Sequence, residues 1–216
     1  MNNASMDLES WSLADFQKIR PLRPDLAQFS DFVLVDTYEE FLSVLYQCLY
    51  ECIKVIEEDP GVRLKDDEDR LTTEFKTFLI GKGYQATHDE KIGGHCDLIV
   101  RQPHKDYVWL CEAKIHKNDY VYLKKGFNQL CTRYSPGTKN YNQCGFLIYI
   151  RQPNASQVIT EWKKRLVDFK LNDYTHKDCD TRNDLAFIST HCHESSGLPI
   201  TVRHLAVVLH FDPKDR

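Results

Sequence analysis

Gly93-Gly94-His95-Cys96-Asp97-Leu98-Ile99-Val100, then the turn Gln102-Pro103-His104-Lys105-Asp106, then Val108-Trp109-Leu110-Cys111-Glu112-Ala113-Lys114, read as the two arms of one hairpin. Each arm is a short apolar run rich in β-formers and bounded by turn residues. In an antiparallel pair, Asp97 near the start of the first arm lies beside Glu112 near the end of the second. Side chains alternate along a strand, so Glu112 and Lys114, two apart, share a face. One face of a sheet then carries two carboxylates and an ammonium a few ångströms apart.

Upstream, Thr37 and Glu40 fit a capping box. Phe41, Val44, Leu45, Cys48, Leu49, Cys52 and Ile56 then recur at helical spacing until Asp59-Pro60-Gly61. A second helix is expected from about Asp67 to Ile80, with Leu71, Phe75, Phe78 and Leu79 apolar and Gly81 and Gly83 closing it. Glu74 falls on or beside that apolar side. Residues 1–35, with Pro21 and Pro24, read as an irregular arm ending in an apolar piece, Phe32 to Val35. A short strand is expected within Tyr84–Asp89.

Downstream, a helix is expected from about Val121 to Tyr134 and a buried strand over Cys144–Ile150. Asn154 caps a helix over roughly Ala155–Phe169. A polar connection leads to a last hairpin, Leu185–Thr190 with Thr201–Phe211. The fold class is α/β, a mixed β-sheet flanked by helices.

The chain has 216 residues, 42% of them hydrophobic and 28% charged, which fits a folded domain and excludes a disordered or fibrous chain. No apolar run approaches the roughly 20 residues that cross a bilayer, so no membrane association is expected. Met1 to Ser12 carries Asp7 and Glu9 and lacks a basic segment followed by an apolar one, so no secretory signal is expected. The eight cysteines lie mostly in apolar segments, the pattern of buried thiols in a reducing, cytoplasmic setting. The net charge of −4 is no signature of nucleic-acid binding, but the local field decides that, and the charge is uneven. Glu57, Glu58, Asp59, Asp66, Asp67, Glu68 and Asp69 form an acidic stretch that reads as solvated surface. Lys114, Lys117, Lys124, Lys125, Arg133 and Lys139 follow as a basic region.

Two carboxylates and a lysine on one face suit phosphodiester hydrolysis. Mg²⁺ takes oxygen ligands, and one or two carboxylates suffice because it keeps water and phosphate in its other positions. A lysine beside it orients or deprotonates the attacking water and steadies the charged transition state.

Asp97 followed by Glu112-Ala113-Lys114 at the end of the next strand resembles the PD-(D/E)XK nuclease superfamily, which includes restriction endonucleases, repair exonucleases and phage-defence effectors. Cys96 stands where the proline of that motif would be. The resemblance implies a restriction-endonuclease-like core, α-β-β-β-α-β, with an N-terminal helical extension and a C-terminal β-hairpin. The expected organisation is one domain, 1–216, made of an irregular arm (1–36), a helical segment (37–66), a catalytic core (67–150) and a C-terminal helix and hairpin (151–216). It implies that Asp97, Glu112, the Ala113 carbonyl and Glu74 bind Mg²⁺, with Mn²⁺ able to substitute, and that Lys114 assists the nucleophile. Phe127 to Tyr134 resembles the RecB-like members, which carry a glutamine and a tyrosine on the next helix. Gln129 fits, whereas Tyr134 is five residues on instead of four. Arg133, Tyr134, Lys124 and Lys125 would contact the nucleic acid, expected to be double-stranded DNA cut as an endonuclease.

Other readings compete. The same fold would serve as a non-catalytic nucleic-acid- or protein-binding subunit, although such a protein has no need of Lys114. By family analogy alone the chain would act in bacterial phage defence, with a regulatory partner or a homodimer through the Thr37–Glu58 helix confining its activity. His191-Cys192-His193, Cys179, His204 and His210 match no compact zinc motif. His95 and His116 flank the proposed site. Tyr120, Tyr122 and Tyr141 are candidates for stacking on bases, while Trp109 and Trp162 read as core.

Overall fold

A computed structural model describes residues 10–91 and 93–215. The expectation of no secretory signal rests largely on residues 1–9, which lie outside the described residues. The chain forms two compact units, Met1–Cys48 and Leu49–Arg216, that divide within one long helix.

In the first unit, the arm expected to be irregular carries a 3₁₀ helix, Leu13–Ile19, and helix α1, Pro24–Val33. Proline reads as a breaker in the sequence. Here Pro24 instead occupies the first helical turn, where its fixed φ suits the helix and no N–H is needed. Gln17 ties the two pieces together, its amide donating to the Ala27 carbonyl (3.2 Å) and to Asp31 (2.7 Å). Helix α2, Tyr38–Glu58, begins on the expected capping box: Thr37 N–H donates to Glu40 (3.0 Å) and Glu40 N–H to Thr37 Oγ1 (3.2 Å).

The second unit holds the rest of α2, helix α3 (Glu68–Gly81), and strands β1 (Gln85–Thr87), β2 (Glu90–Lys91), β3 (His95–Cys96), β4 (Leu98–Arg101) and β5 (Val108–Ile115). Then come α4 (Tyr120–Gln129), β6 (Gln143–Ile150), α5 (Ala155–Asp168), β7 (Thr175–Asp178), β8 (Ala186–Cys192) and β9 (Pro199–Val208). Seven strands form one sheet in the order β1-β4-β5-β6-β9-β8-β7, and β2 and β3 make a small hairpin of their own. β1, β4 and β5 run antiparallel in succession, whereas β6 is parallel to β5 and β9 parallel to β6. A parallel pair needs a long crossover, and α4 and α5 supply the two required here. The expected α/β class with a mixed, helix-flanked sheet is observed, including the β8–β9 hairpin.

Three details depart from the sequence reading. The connection expected to be polar loop contains β7, an edge strand exposed along its length, whose composition carries no strand signal. Asn154 stands at the start of α5, but in the left-handed conformation (φ 60°). Its carbonyl accepts from Gln157 N–H (2.9 Å), while its side chain makes no cap. The helix after β5 is α-helical only to Gln129. Leu130–Tyr134 continues as a single π turn.

Asp67 caps α3, accepting from Arg70 N–H (2.8 Å). The buried stripe of that helix is Leu71, Thr72, Phe75 and Leu79, with Thr72 Oγ1 3.0 Å from Tyr149 OH on β6. On the α5 side, Phe127, Phe146 and Trp162 pack around His204. His204 is fully buried, stacks on Phe187 at 4.2 Å, accepts from Trp162 Nε1 (3.1 Å) and bonds Ser189 Oγ (2.9 Å). Burial, with His191 adding to it, drives the His204 pKa well down, in keeping with a neutral ring that accepts. Among the described residues, no helix is long and apolar enough to cross a membrane.

Candidate active site

Asp97 sits at a bend between β3 and β4. The β4–β5 register pairs Leu98 with Cys111, so the next position outward sets Asp97 opposite Glu112. Asp97 Oδ2 accepts from Ala113 N–H (2.8 Å), which fixes the carboxylate over the end of β5. Lys114 Nζ lies 2.6 Å from Glu112 Oε1, 3.4 Å from Asp97 Oδ2, and donates to the Ala113 carbonyl (2.9 Å). The three residues expected to converge do so.

The fourth member is Glu68, not Glu74. Glu68, in the first turn of α3, accepts from Ile115 N–H (2.6 Å) and from Tyr122 OH (2.8 Å), and lies 3.9 Å from Lys114 Nζ. Glu74 instead receives Arg63 (2.9 Å) and Arg70 (3.3 Å). It flanks the apolar stripe, whereas Glu68 lies in line with it: 68, 72, 75 and 79 follow i, i+4, i+7, i+11. That line is the signal that distinguishes Glu68 from the solvated acidic stretch to which the sequence reading assigns it. The stretch is not wholly solvated: Glu57 binds Arg182 (2.7 Å) and accepts from Val208 N–H (2.8 Å).

The electrostatics follow from three carboxylates around one ammonium in a buried place. Glu112 is 1% exposed, and its Oε2 is buried with no hydrogen-bond partner. Burial first, and the charge of Asp97 second, push its pKa up to about 8 against the pull of Lys114. Burial draws the Lys114 pKa down, but Asp97, Glu112 and Glu68 outweigh it and hold it above the usual lysine range. Lys114 is thus an ammonium at neutral pH. Cys96 is buried and donates weakly to the Leu98 and Cys111 carbonyls.

Tyr134, five residues after Gln129, ends the π turn. A π turn closes over five residues, so Gln129 and Tyr134 return to the same side, and Gln129 Nε2 donates to Tyr134 OH (3.4 Å). Burial, then Glu112 and Asp97, raise the Tyr134 pKa to about 12, which sets its hydroxyl in the field of the cluster. The Gly93-Gly94 turn seats against this segment. Gly93 is left-handed (φ 62°), and a Cβ there would lie 2.0 Å from the Arg133 carbonyl oxygen. A Cβ on Gly94 would come 2.8 Å from the Tyr134 ring.

Lys124, Lys125, Asn128, Gln129, Thr132 and Arg133 line a shallow groove of about 380 Å³ on α4 and the π turn. Lys124 also lies over the Phe169 ring (4.2 Å). The tyrosines considered for base stacking are engaged. Tyr122 bonds Glu68 and lies under Lys117, Tyr120 packs under Arg165 and against His116, and Tyr141 OH reaches Asp106. Trp109 and Trp162 are fully buried core. His116 is buried and bonds Gln152 (3.2 Å), while His95 is exposed and pairs with Asp89 (2.7 Å). All eight cysteines are free thiols, seven of them buried.

Among the described residues, no three His, Cys, Asp or Glu side chains form a ready cation cage. Lys114 Nζ occupies the space between the carboxylates. The donor set at the cluster is instead two carboxylates, Asp97 and Glu112, with the Ala113 carbonyl beside them, and one oxygen of Glu112 unengaged. Hard oxygen donors of that number suit Mg²⁺, which keeps most of its shell as water and phosphate. Compared with known proteins, the chain matches no family model, no curated protein and no solved structure.

Proposed function

We propose that the protein is a metal-dependent nuclease that hydrolyses phosphodiester bonds in DNA. The observation that carries this reading is the convergence of Asp97, Glu112 and Lys114 on one face of β4 and β5. The order α3, three antiparallel strands, α4 and a parallel β6 supports the resemblance to the PD-(D/E)XK superfamily. Asp97, Glu112 and the Ala113 carbonyl would hold Mg²⁺, or Mn²⁺ in its place, with Glu68 beside them. A divalent cation there supplies polarisation of the phosphoryl oxygen and a more acidic water.

The chain's own residues do the rest. Lys114 enters as an ammonium, so its first role is to orient the attacking water and to stabilise negative charge on phosphate, with no proton to accept. Glu112, buried with one oxygen unengaged and its pKa pushed up to about 8, would give up its proton to a bound cation and become its ligand. Tyr122 and Ile115 hold Glu68 in place through two hydrogen bonds. Gln129, Arg133, Lys124 and Lys125 line the groove that would receive the phosphate backbone, with Tyr134 behind Gln129. The test is nicking of circular plasmid in Mg²⁺, run beside linear, single-stranded and RNA substrates. Cleavage abolished by EDTA supports the reading. Nucleic-acid binding without cleavage of any substrate would replace it with a binding subunit on the same fold.

A further inference from the structure

Gly126 lies in the middle of α4, on its buried side, where glycine costs helix stability. Its reason is visible below it. A Cβ at Gly126 would lie 2.8 Å from Lys114 Cγ, 3.0 Å from Lys114 Cε and 3.1 Å from Phe146 Cε2. Lys114 is 8% exposed, and its chain runs between β5 and α4 before its ammonium reaches Glu112. We infer that Gly126 is a positioning residue: the missing side chain is the slot through which Lys114 passes. The closest approach to the slot is made by methylenes of Lys114, so volume, not charge, is what the glycine accommodates. A methyl there displaces the stem and lifts the ammonium off the carboxylates.

Stability in three backgrounds tests this. Gly126→Ala should lower the melting temperature of the otherwise unaltered chain despite the better helix propensity of alanine. In the Lys114→Met background, which keeps the stem and drops the charge, it should lower it again. In the Lys114→Ala background, which empties the slot, it should leave the melting temperature level or raise it. An equal loss in all three backgrounds would overturn the inference and put the clash on Phe146 or the helix seat. A second readout follows the ammonium. Acylation of Lys114 by an amine-reactive reagent, read by mass spectrometry, should rise several-fold in Gly126→Ala while Lys124 and Lys125 on the same helix stay constant. Unchanged protection of Lys114 would also overturn it. The expected loss of cleavage in Gly126→Ala rests on the nuclease reading, but the stability cycle and the labelling do not. If the chain cuts nothing while the cycle behaves as stated, the nuclease reading fails and the slot stands.

Discussion

Glu68→Gln and Glu74→Gln are near-isosteric changes that should separate chemistry from stability. Glu74 takes a forked contact from Arg63 Nε and Nη2 (3.1 and 2.9 Å), with 13% of the Arg63 and 19% of the Glu74 side chain exposed. Glutamine keeps one acceptor, removes the charge and leaves the guanidinium poorly paired in a half-buried place. Hydrogen bonds to charged groups contribute about 1.5–3 kcal/mol each, and the destabilisation should be of that size. For a chain of this length the melting temperature should fall by roughly 3–12 °C. Glu68 is different. A glutamine there can still accept from Ile115 N–H, and its amide can donate to Tyr122 OH, so stability should change by about 1 kcal/mol or less. What disappears is the negative charge 3.9 Å from Lys114. Thermal melts beside plasmid nicking over a range of Mg²⁺ concentrations read both effects. Glu74→Gln should melt early and cut normally. Glu68→Gln should melt normally and cut poorly at low Mg²⁺. The reverse pattern would refute the placement of these two helical glutamates, and full cleavage by Glu68→Gln would reduce Glu68 to a tether for β5.

Replacing Lys124 and Lys125 together with alanine should weaken DNA binding for every sequence and flatten its salt dependence, by about 0.9 in log–log slope for each phosphate that is no longer neutralised; an unchanged slope would mean that the groove faces elsewhere. His191 is buried, and burial, with His193 adding to it, lowers its pKa to about 4, so the folded state binds that proton less tightly than the unfolded one. Stability should therefore decline as pH falls from about 6.5 through about 4, by up to about 3 kcal/mol, and His191→Phe should remove that slope in denaturant titrations; an identical acid slope in the variant would place the decline on other groups. Gly145→Ala sets a methyl 2.0 Å from Trp109 Cζ2 inside the sheet and should cost about 1–3 kcal/mol or more, with an early melt as the check and an unchanged one as the disproof.

The parts of the fold and site legible in the sequence are those governed by local rules. The hairpin register follows from alternation and turn length, so the meeting of Asp97, Glu112 and Lys114 can be read from the two arms alone. The start of α2 follows from Thr37 and Glu40. Glu68 is not legible in this way, because an acidic run at a helix start looks the same whether it caps, solvates or faces a site. Its alignment with Thr72, Phe75 and Leu79 is the signal the sequence does hold, and tertiary contact with Ile115 and Tyr122 decides the case. The contact of Gln129 with Tyr134 is hidden when spacing is counted on a 3.6-residue helix, because the π turn that allows it has no signal in the sequence. Helix α1 is hidden by Pro24, because a proline's position in a helix decides whether it breaks or begins it.

The most direct test of the nuclease reading is the cleavage rate of Lys114→Ala relative to the unaltered chain, with both shown to be folded and both titrated with Mg²⁺ by calorimetry. Removing an ammonium from among three carboxylates should leave metal binding intact or slightly tighter, while plasmid nicking falls by roughly 10²–10³-fold, the usual scale for removing one donor that stabilises transition-state charge. Glu112→Ala, by contrast, should abolish metal binding and cleavage together, and Lys114→Arg should not restore activity because the broader guanidinium does not fit the same place. Cleavage by Lys114→Ala at the unaltered rate would rule out a catalytic Lys114 and leave the Glu112-Ala113-Lys114 triplet a buried ion pair at a strand end.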